Sequence, residues 1–298
     1  MIKKFILLLC ISVWSAFSYA EWPDKPIKFI IPYSPGGTTD ILVRTIQPRL
    51  SDLLKQPISI EYVAGASSSI GAAKAALAQD NHTFLITADE FVTNSITDPD
   101  GAHSAKNFKT VAFLAHSPIM ISTGAINPQR DAKSIISDNS LSYGNAGVNS
   151  ISNLLLRKTN PNWISISYKG GAPMFADVIP GTVKLASCSV LQATTHIQSG
   201  KLVPVMVYSR NRVSAYPLVP TSYELGIPLA ASVWIGIVAS KSTTDEAANK
   251  MSAAAMTAMK DLALTQSLID RGLTIEPMDN RAFDNFLQQN IKQIKNLL

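Results

Sequence analysis

With only two cysteines in 298 residues, Cys10 and Cys188, this chain has no disulfide framework, and its fold must be held by packing. Charge is sparse as well: 16% of residues are charged and 46% are hydrophobic. The lysines and arginines are dispersed, without aromatic residues between them, which argues against nucleic acid as a partner. Among His82, His103, His116 and His196 no two stand at metal-ligand spacing, and no G-x-S-x-G elbow occurs. No metal, cofactor or catalytic motif is therefore expected. A chain of this length and composition fits a soluble globular protein of about two domains.

No apolar run reaches the roughly 18 residues of a membrane span. The longest begins the chain, where Lys3 and Lys4 precede Phe5 to Phe17 and small residues follow at Ser18 and Ala20. That order reads as a secretory signal over residues 1–20, cleaved after Ala20, with a retained anchor as the alternative. Cleavage removes two lysines and no acids, so the net charge falls from +5 to +3. A mildly basic protein suits small anionic ligands.

What the sequence does have is alternation. Strand-length apolar runs at Ile27–Pro32, Ile58–Val63, Thr83–Thr87, Thr110–Ala115, Ile119–Thr123, Ser140–Tyr143, Ile164–Tyr168, Val183–Ser187, Val203–Tyr208 and Val233–Ala239 are interleaved with helical segments. Helices are predicted over Asp40–Lys55, with a kink at Pro48, then Ile70–Gln79, Ser150–Lys158, Pro173–Ile179, Leu191–Ser199, Asp245–Ala263, Thr265–Arg271 and Arg281–Leu297. Such alternation predicts α/β layers with mainly parallel sheets.

Four strand-to-helix junctions repeat one design: PYSPGGTTD from Pro32, EYVAGASSSIG from Glu61, SYGNAGVNSIS from Ser142 and SYKGGAPMF from Ser167. In each, a strand ends, glycine follows, and a helix starts with hydroxyl or amide residues or with Gly-Ala-Pro. A helix start reached through glycine is an anion site, because several N–H groups converge where no side chain shields them. In open α/β sheets ligands bind beyond the carboxyl ends of strands, where all four junctions lie. Two fall in each half of the chain, so two α/β units facing across a cleft would each contribute a pair.

These blocks resemble the periplasmic solute receptors of tripartite tricarboxylate transporters, the Bug receptors. WPDKPIKFIIPYSPGGTTD is similar to the family's opening block, QPISIEYVAGASSSIGAAKAA to its second loop and LSYGNAGVNSISNLL to its third; ISISYKGGAPMFADVIPGTV and later blocks keep the order. The resemblance implies a type II-like two-domain periplasmic binding protein. Domain 1 would be residues 21–120 plus 233–298 and domain 2 residues 121–232, each a mainly parallel sheet flanked by helices. It also implies a monomer that binds a small organic carboxylate (a di- or tricarboxylate, amino acid or aromatic acid) and delivers it to large and small membrane subunits. Carried onto this sequence, the site residues are Ser34, Gly36, Gly37, Thr38 and Thr39 on the first loop and Gly65, Ala66, Ser67, Ser68 and Ser69 on the second. Ala88 and Asp89 follow the third strand; Asn145, Ala146, Asn149, Ser150, Tyr168, Lys169, Gly170, Cys188 and Ser189 come from domain 2.

The chain departs from the family's pattern at several places, and on the second loop Tyr62, Ala64, Ser67 and Ser68 stand where Asn, Pro and a Gly pair are usual. Asn153 stands where histidine is common and Cys188 where an acid is common, so ligand identity does not transfer. Asp89 and Glu90 occupy a strand end that the family fills with small polar residues. Two carboxylates would repel an anionic ligand unless they face solvent or bind a cationic part of it. Two other readings stay open at this stage: a receptor feeding a sensor kinase, and a secreted enzyme using Cys188 in the cleft.

Overall fold

The computed structural model describes residues 21–295; residues 1–20, where the secretory signal is expected, and 296–298 lie outside the described part. Nine strands form one continuous sheet. The first half runs β2 (Ile58–Tyr62), β1 (Ile27–Ile31), β3 (Thr83–Thr87), β9 (Ser232–Ser240) and β4 (Phe108–Gly124). In the second half β4 lies between β8 (Leu202–Tyr208) and β7 (Leu185–Ser189), which leads on to β5 (Ser142–Asn145) and β6 (Ile164–Ser167). Parallel ladders join β2-β1-β3 and β6-β5-β7, while every pairing made by β4 and β9 is antiparallel.

Strand β4 is what unites the halves. Sequence pattern suggests two strands here, interrupted at Ser117 and Pro118, yet the backbone continues through both. Residues Phe108 to Pro118 pair with β9, and Ile119 to Gly124 pair with β7 and β8. Pro118 offers no N–H, but it sits where the strand changes partners, so it breaks no continuous ladder. Ser117 marks the same point with its hydroxyl, which donates to the Gly272 carbonyl (3.0 Å) and accepts from Leu191 N–H (3.2 Å).

Helices cover both faces. Helix α1 (Thr38–Leu54) passes through Pro48 without interruption and presents Leu42, Val43, Ile46 and Leu50 to the core. These residues recur at helical spacing, so one stripe is buried. The segment read as a single helix from Asp245 to Ala263 is divided: α8 (Asp245–Met259) stops, and Asp261 caps α9 (Leu262–Ile269) by accepting from Leu264 N–H. Two helices escape the sequence reading, α3 (Glu90–Thr97) and α4 (Ala132–Ser137). Helix α3 is short and rich in β-branched residues, so its own propensity is poor; burial of Phe91 and Val92 supplies what propensity does not.

An aromatic cluster backs the two crossing strands. Phe113 of β4 and Trp234 of β9 lie 6.3 Å apart between ring centroids, and Phe283 of α10 (Asn280–Lys295) stands 5.8 and 5.7 Å from them. Phe283 is fully buried, and a side chain at Gly236 would strike its ring at 2.6 Å. Truncating it leaves a cavity that β4 and β9 cannot fill by shifting. Phe283→Ala should therefore cost about 3–5 kcal/mol in a denaturant melt, and a loss below about 1 kcal/mol would show that the cluster relaxes.

Candidate functional site

Strand ends from both half-sheets meet at a cavity of about 50 Å³, room for a few water molecules. From the first half come Tyr33, Ser34 and Gly37 to Thr39 after β1, and Ala88 to Glu90 after β3. From the second come Ala146, Ser150 and Ser152 around the start of α5 (Ile151–Thr159), Gly170 and Gly171 at the start of α6 (Gly171–Val178), and Ser187 to Ser189 with Gln192 at the junction of β7 and α7 (Val190–Gln198). Val233 of β9 closes it. A larger open groove of about 830 Å³, lined in part by His116, Arg210, Arg212 and Thr274, has no helix start among its walls.

Helices α1 and α6 reach the cavity without side-chain caps, through Gly37 and Gly170. Their first N–H groups are free to bind an anion. Glycine is required at Gly170, where φ is +146°, and at Gly171 an added Cβ would displace the Gln192 amide, whose Nε2 lies 1.6 Å from its position. At α7 the free ends are used internally: Ser189 accepts from Gln192 N–H, and its hydroxyl lies 2.6 Å from Thr38 Oγ1 across the cleft.

That contact is one of several linking the halves. Ser34 donates through its N–H and hydroxyl to the Lys169 carbonyl, at 3.4 and 3.0 Å. Thr93 Oγ1 donates to the Asn149 carbonyl (2.6 Å), and Asn149 Nδ2 to Asn94 Oδ1 (2.9 Å). Asp89 Oδ2 accepts from Ile151 N–H at 3.0 Å. The two half-sheets are thus closed on each other.

Several residues expected at the site lie outside the lining. Gly36 donates its N–H to Asp40 Oδ2 (2.7 Å), so Asp40 consumes a donor of the first loop. Residues Gly65 to Ser69 stand beside the cavity and not on it. Asn94 Nδ2 donates to the Ser67 carbonyl and Ser68 Oγ, holding Ala66, Ser67 and Ser68 at left-handed φ of +46° to +73°. Asn145 is buried and spent on structure: its Nδ2 donates to Ser165 Oγ and the Ile166 carbonyl, and its Oδ1 accepts from Gly147 N–H and Ser167 Oγ. Asn149 and Lys169 serve as the cross-cleft contacts above, and the Tyr168 hydroxyl donates to Asp177 (2.6 Å). Asn153 is likewise internal, its Oδ1 accepting from Tyr143 and Ser165.

Other lining residues were not singled out in the sequence: Tyr33, Ser152, Gly171, Ser187, Gln192 and Val233. Ser187 precedes Ser189 by one strand period, and Gln192 sits in the first turn after it, so β-alternation and helix start together point to both. Tyr33 carries no such signal.

The solvent-facing alternative for Asp89 and Glu90 is overturned, because both are about 95% buried. No lysine, arginine or histidine lines the cavity to neutralise them. Burial pushes the Asp89 carboxyl up to about 6; burial and the adjacent Asp89 charge push Glu90 up to about 8. The Asp89 charge acting on Glu90 separates their states. Asp89 accepts a helix-start N–H, which favours the ionised form. Glu90 accepts from the Tyr33 hydroxyl (2.9 Å), which also favours ionisation, but burial and the neighbouring Asp89 charge outweigh it and leave Glu90 the proton at neutral pH. Tyr33 in turn is raised well above its ordinary range by burial and by Glu90. Burial also pushes the Cys188 thiol up to about 12, and no histidine lines the cavity with it. Cys188 is a neutral thiol, unsuited to the nucleophile that the enzyme reading needs.

Comparisons with known proteins accord with this architecture. The chain is 26% identical over 286 residues to the protein BugT of Bordetella pertussis, spanning 90% of this chain and 87% of that one. A solved periplasmic transporter superposes with a TM-score of 0.85 at 28% identity, covering 91% of this chain and 95% of the other. MatC from Rhodopseudomonas palustris, solved with bound malate, gives 0.84 at 23% identity, covering 93% and 99%. The fold is that of a periplasmic binding protein of this type. Residues 42–298 match the pattern of the tripartite tricarboxylate transporter family receptor, TctC, and the chain belongs to that receptor family.

Proposed function

We propose that this protein is a periplasmic receptor that binds a small organic carboxylate between two lobes, closes on it, and hands it to the membrane subunits of a tripartite carrier without chemistry. One lobe would be residues 21–120 plus 233–298 and the other residues 121–232. The observation that carries this reading is the meeting of two uncapped helix starts, one from each half-sheet, on a single cavity. Family membership supports the carrier as partner, and the malate in MatC supports a carboxylate as cargo. A hydrogen bond to a charged group contributes about 1.5–3 kcal/mol and a helix end about 0.3–1. Three or four such bonds approach the roughly 8 kcal/mol of micromolar binding, with water exclusion on closure adding the rest.

Three outcomes follow from this reading. In a thermal-shift panel of mono-, di- and tricarboxylates and amino acids, at least one acid should raise the melting temperature by several degrees, since ligand at 100 times its dissociation constant adds about 2.7 kcal/mol. A flat response across the whole panel would refute the assignment.

Gly37 has φ −77° and ψ 174°, and a Cβ there would meet nothing nearer than 3.6 Å. Gly37→Val should therefore fold normally yet fill the cavity mouth and weaken the best acid by about a hundredfold or more. Unchanged affinity would remove the first loop from the site.

Closure also takes up protons. With Asp89 and Glu90 raised to about 6 and 8 when buried, the closed form holds more protons than an open form with ordinary carboxyls near 4. Rising pH from about 4 to about 8 should thus favour opening of the unliganded protein, read as a growing radius of gyration in small-angle scattering. The Asp89→Asn/Glu90→Gln variant should lose that slope; a pH-independent radius in the parent protein would contradict it.

A further inference from the structure

The acid pair is the feature of the cavity that a simple anionic ligand does not explain. Asp89 is 5% exposed, lines the cavity, and spends Oδ2 on the Ile151 N–H; Oδ1 is buried with no hydrogen-bond partner among the described residues. Ser187 Oγ, on the opposite half-sheet, is buried and unpartnered in the same way. A carboxylate oxygen and a hydroxyl, both without partners, therefore line one cavity, and the carboxylate has no counter-cation. Water filling the space would satisfy lone pairs but leave that charge uncompensated.

We propose that the ligand carries a protonated amine beside its carboxylate, and that Asp89 Oδ1 reads this amine with Ser187 Oγ as a second acceptor. This rests on the receptor reading above and narrows it to amino acids and related zwitterions. The α5 helix start already holds Asp89, so the ligand's carboxylate is left the bare starts of α1 and α6, through Gly37 to Thr39 and Gly170 to Gly171. Anion and cation sites are then distinct parts of one cavity. Its small size favours a compact ligand in the closed form.

Stoichiometry of charge agrees. The titratable groups that line the cavity are Tyr33, Asp89, Glu90 and Cys188. The tyrosine and the thiol stay neutral, and Glu90, buried beside the Asp89 charge, keeps its proton, which leaves one negative charge at neutral pH for one ammonium. A doubly charged pair would instead call for a divalent partner, and no group of three or more metal-binding side chains exists among the described residues.

The test is calorimetric titration of the purified protein at pH 7.5 with matched pairs that differ only in amine against hydroxyl: aspartate and malate, alanine and lactate, phenylalanine and phenyllactate, then the remaining amino acids with their 2-hydroxy counterparts. A charge-assisted hydrogen bond predicts that the amine member of the best pair binds at least about tenfold tighter. Asp89→Asn keeps an oxygen to accept the Ile151 N–H but places an amide where the ammonium would sit, so it should erase the preference. Glu90→Gln resembles the protonated acid and should retain it. Both variants should melt within a few degrees of the parent. A hydroxy acid that binds as tightly as its amine twin, or a preference that survives Asp89→Asn, overturns the inference and leaves the carboxylate receptor standing. If no member of any pair and no unsubstituted acid binds, both fall together.

Discussion

Two adjacent carboxylates are enclosed where the half-sheets meet, with no basic side chain beside them, and the behaviour of the cleft depends on that constraint. Burying an uncompensated charge is costly, so the closed form must either take up protons or receive a cation. Asp89 softens the cost by accepting from the first N–H of α5, which also makes it a strut between the halves. One side chain thus couples closure to the charge inside the cavity. A receptor built this way resists closing empty at neutral and higher pH and closes readily once a ligand supplies the missing charge.

The scaffold that allows this coupling is the strand pair β4 and β9. Their antiparallel ladder runs through Ser117 and Pro118, where β4 leaves one set of partners for another, and the aromatic cluster of Phe113, Trp234 and Phe283 stiffens the first half behind it. Few covalent connections cross between the halves, and the hydrogen bonds over the cleft come from residues in loops and at element ends, such as Ser34 to Lys169 and Thr38 to Ser189. Each is worth about 1 kcal/mol or less net, so the halves can separate without disturbing either core.

Much of the fold was legible because burial imposes period. The run Ile27 to Ile31 and the stripe Leu42, Val43, Ile46 and Leu50 state a strand and a helix without reference to anything distant. Helix α3 was not legible, since its stability comes from Phe91 and Val92 packing against other elements and not from its own residues. The join of two apparent strands into β4 was hidden for a related reason: Pro118 reads as a break locally, and only the change of partner strand makes it harmless. At the site, glycine marked the helix starts at Gly37 and Gly170, and alternation could have marked Ser187. Which polar residues would face the cavity and which would be spent on structure was beyond the sequence. Asn145 looks like a ligand donor until its amide is found satisfied by Ser165 and Gly147. The closed burial of Glu90 against Tyr33 depends on residues 57 apart and left no local trace.

The central claim is that Asp89 and Glu90 share a single negative charge inside the closed cleft. Carboxyl carbon-13 resonances, assigned by single substitution at each position and followed from pH 3 to 10 in the unliganded closed form, report it directly. Glu90 should remain protonated through neutral pH, titrating near 8, while Asp89 ionises about two pH units earlier. Two resonances that both titrate near 4, as exposed carboxyls do, would contradict the account.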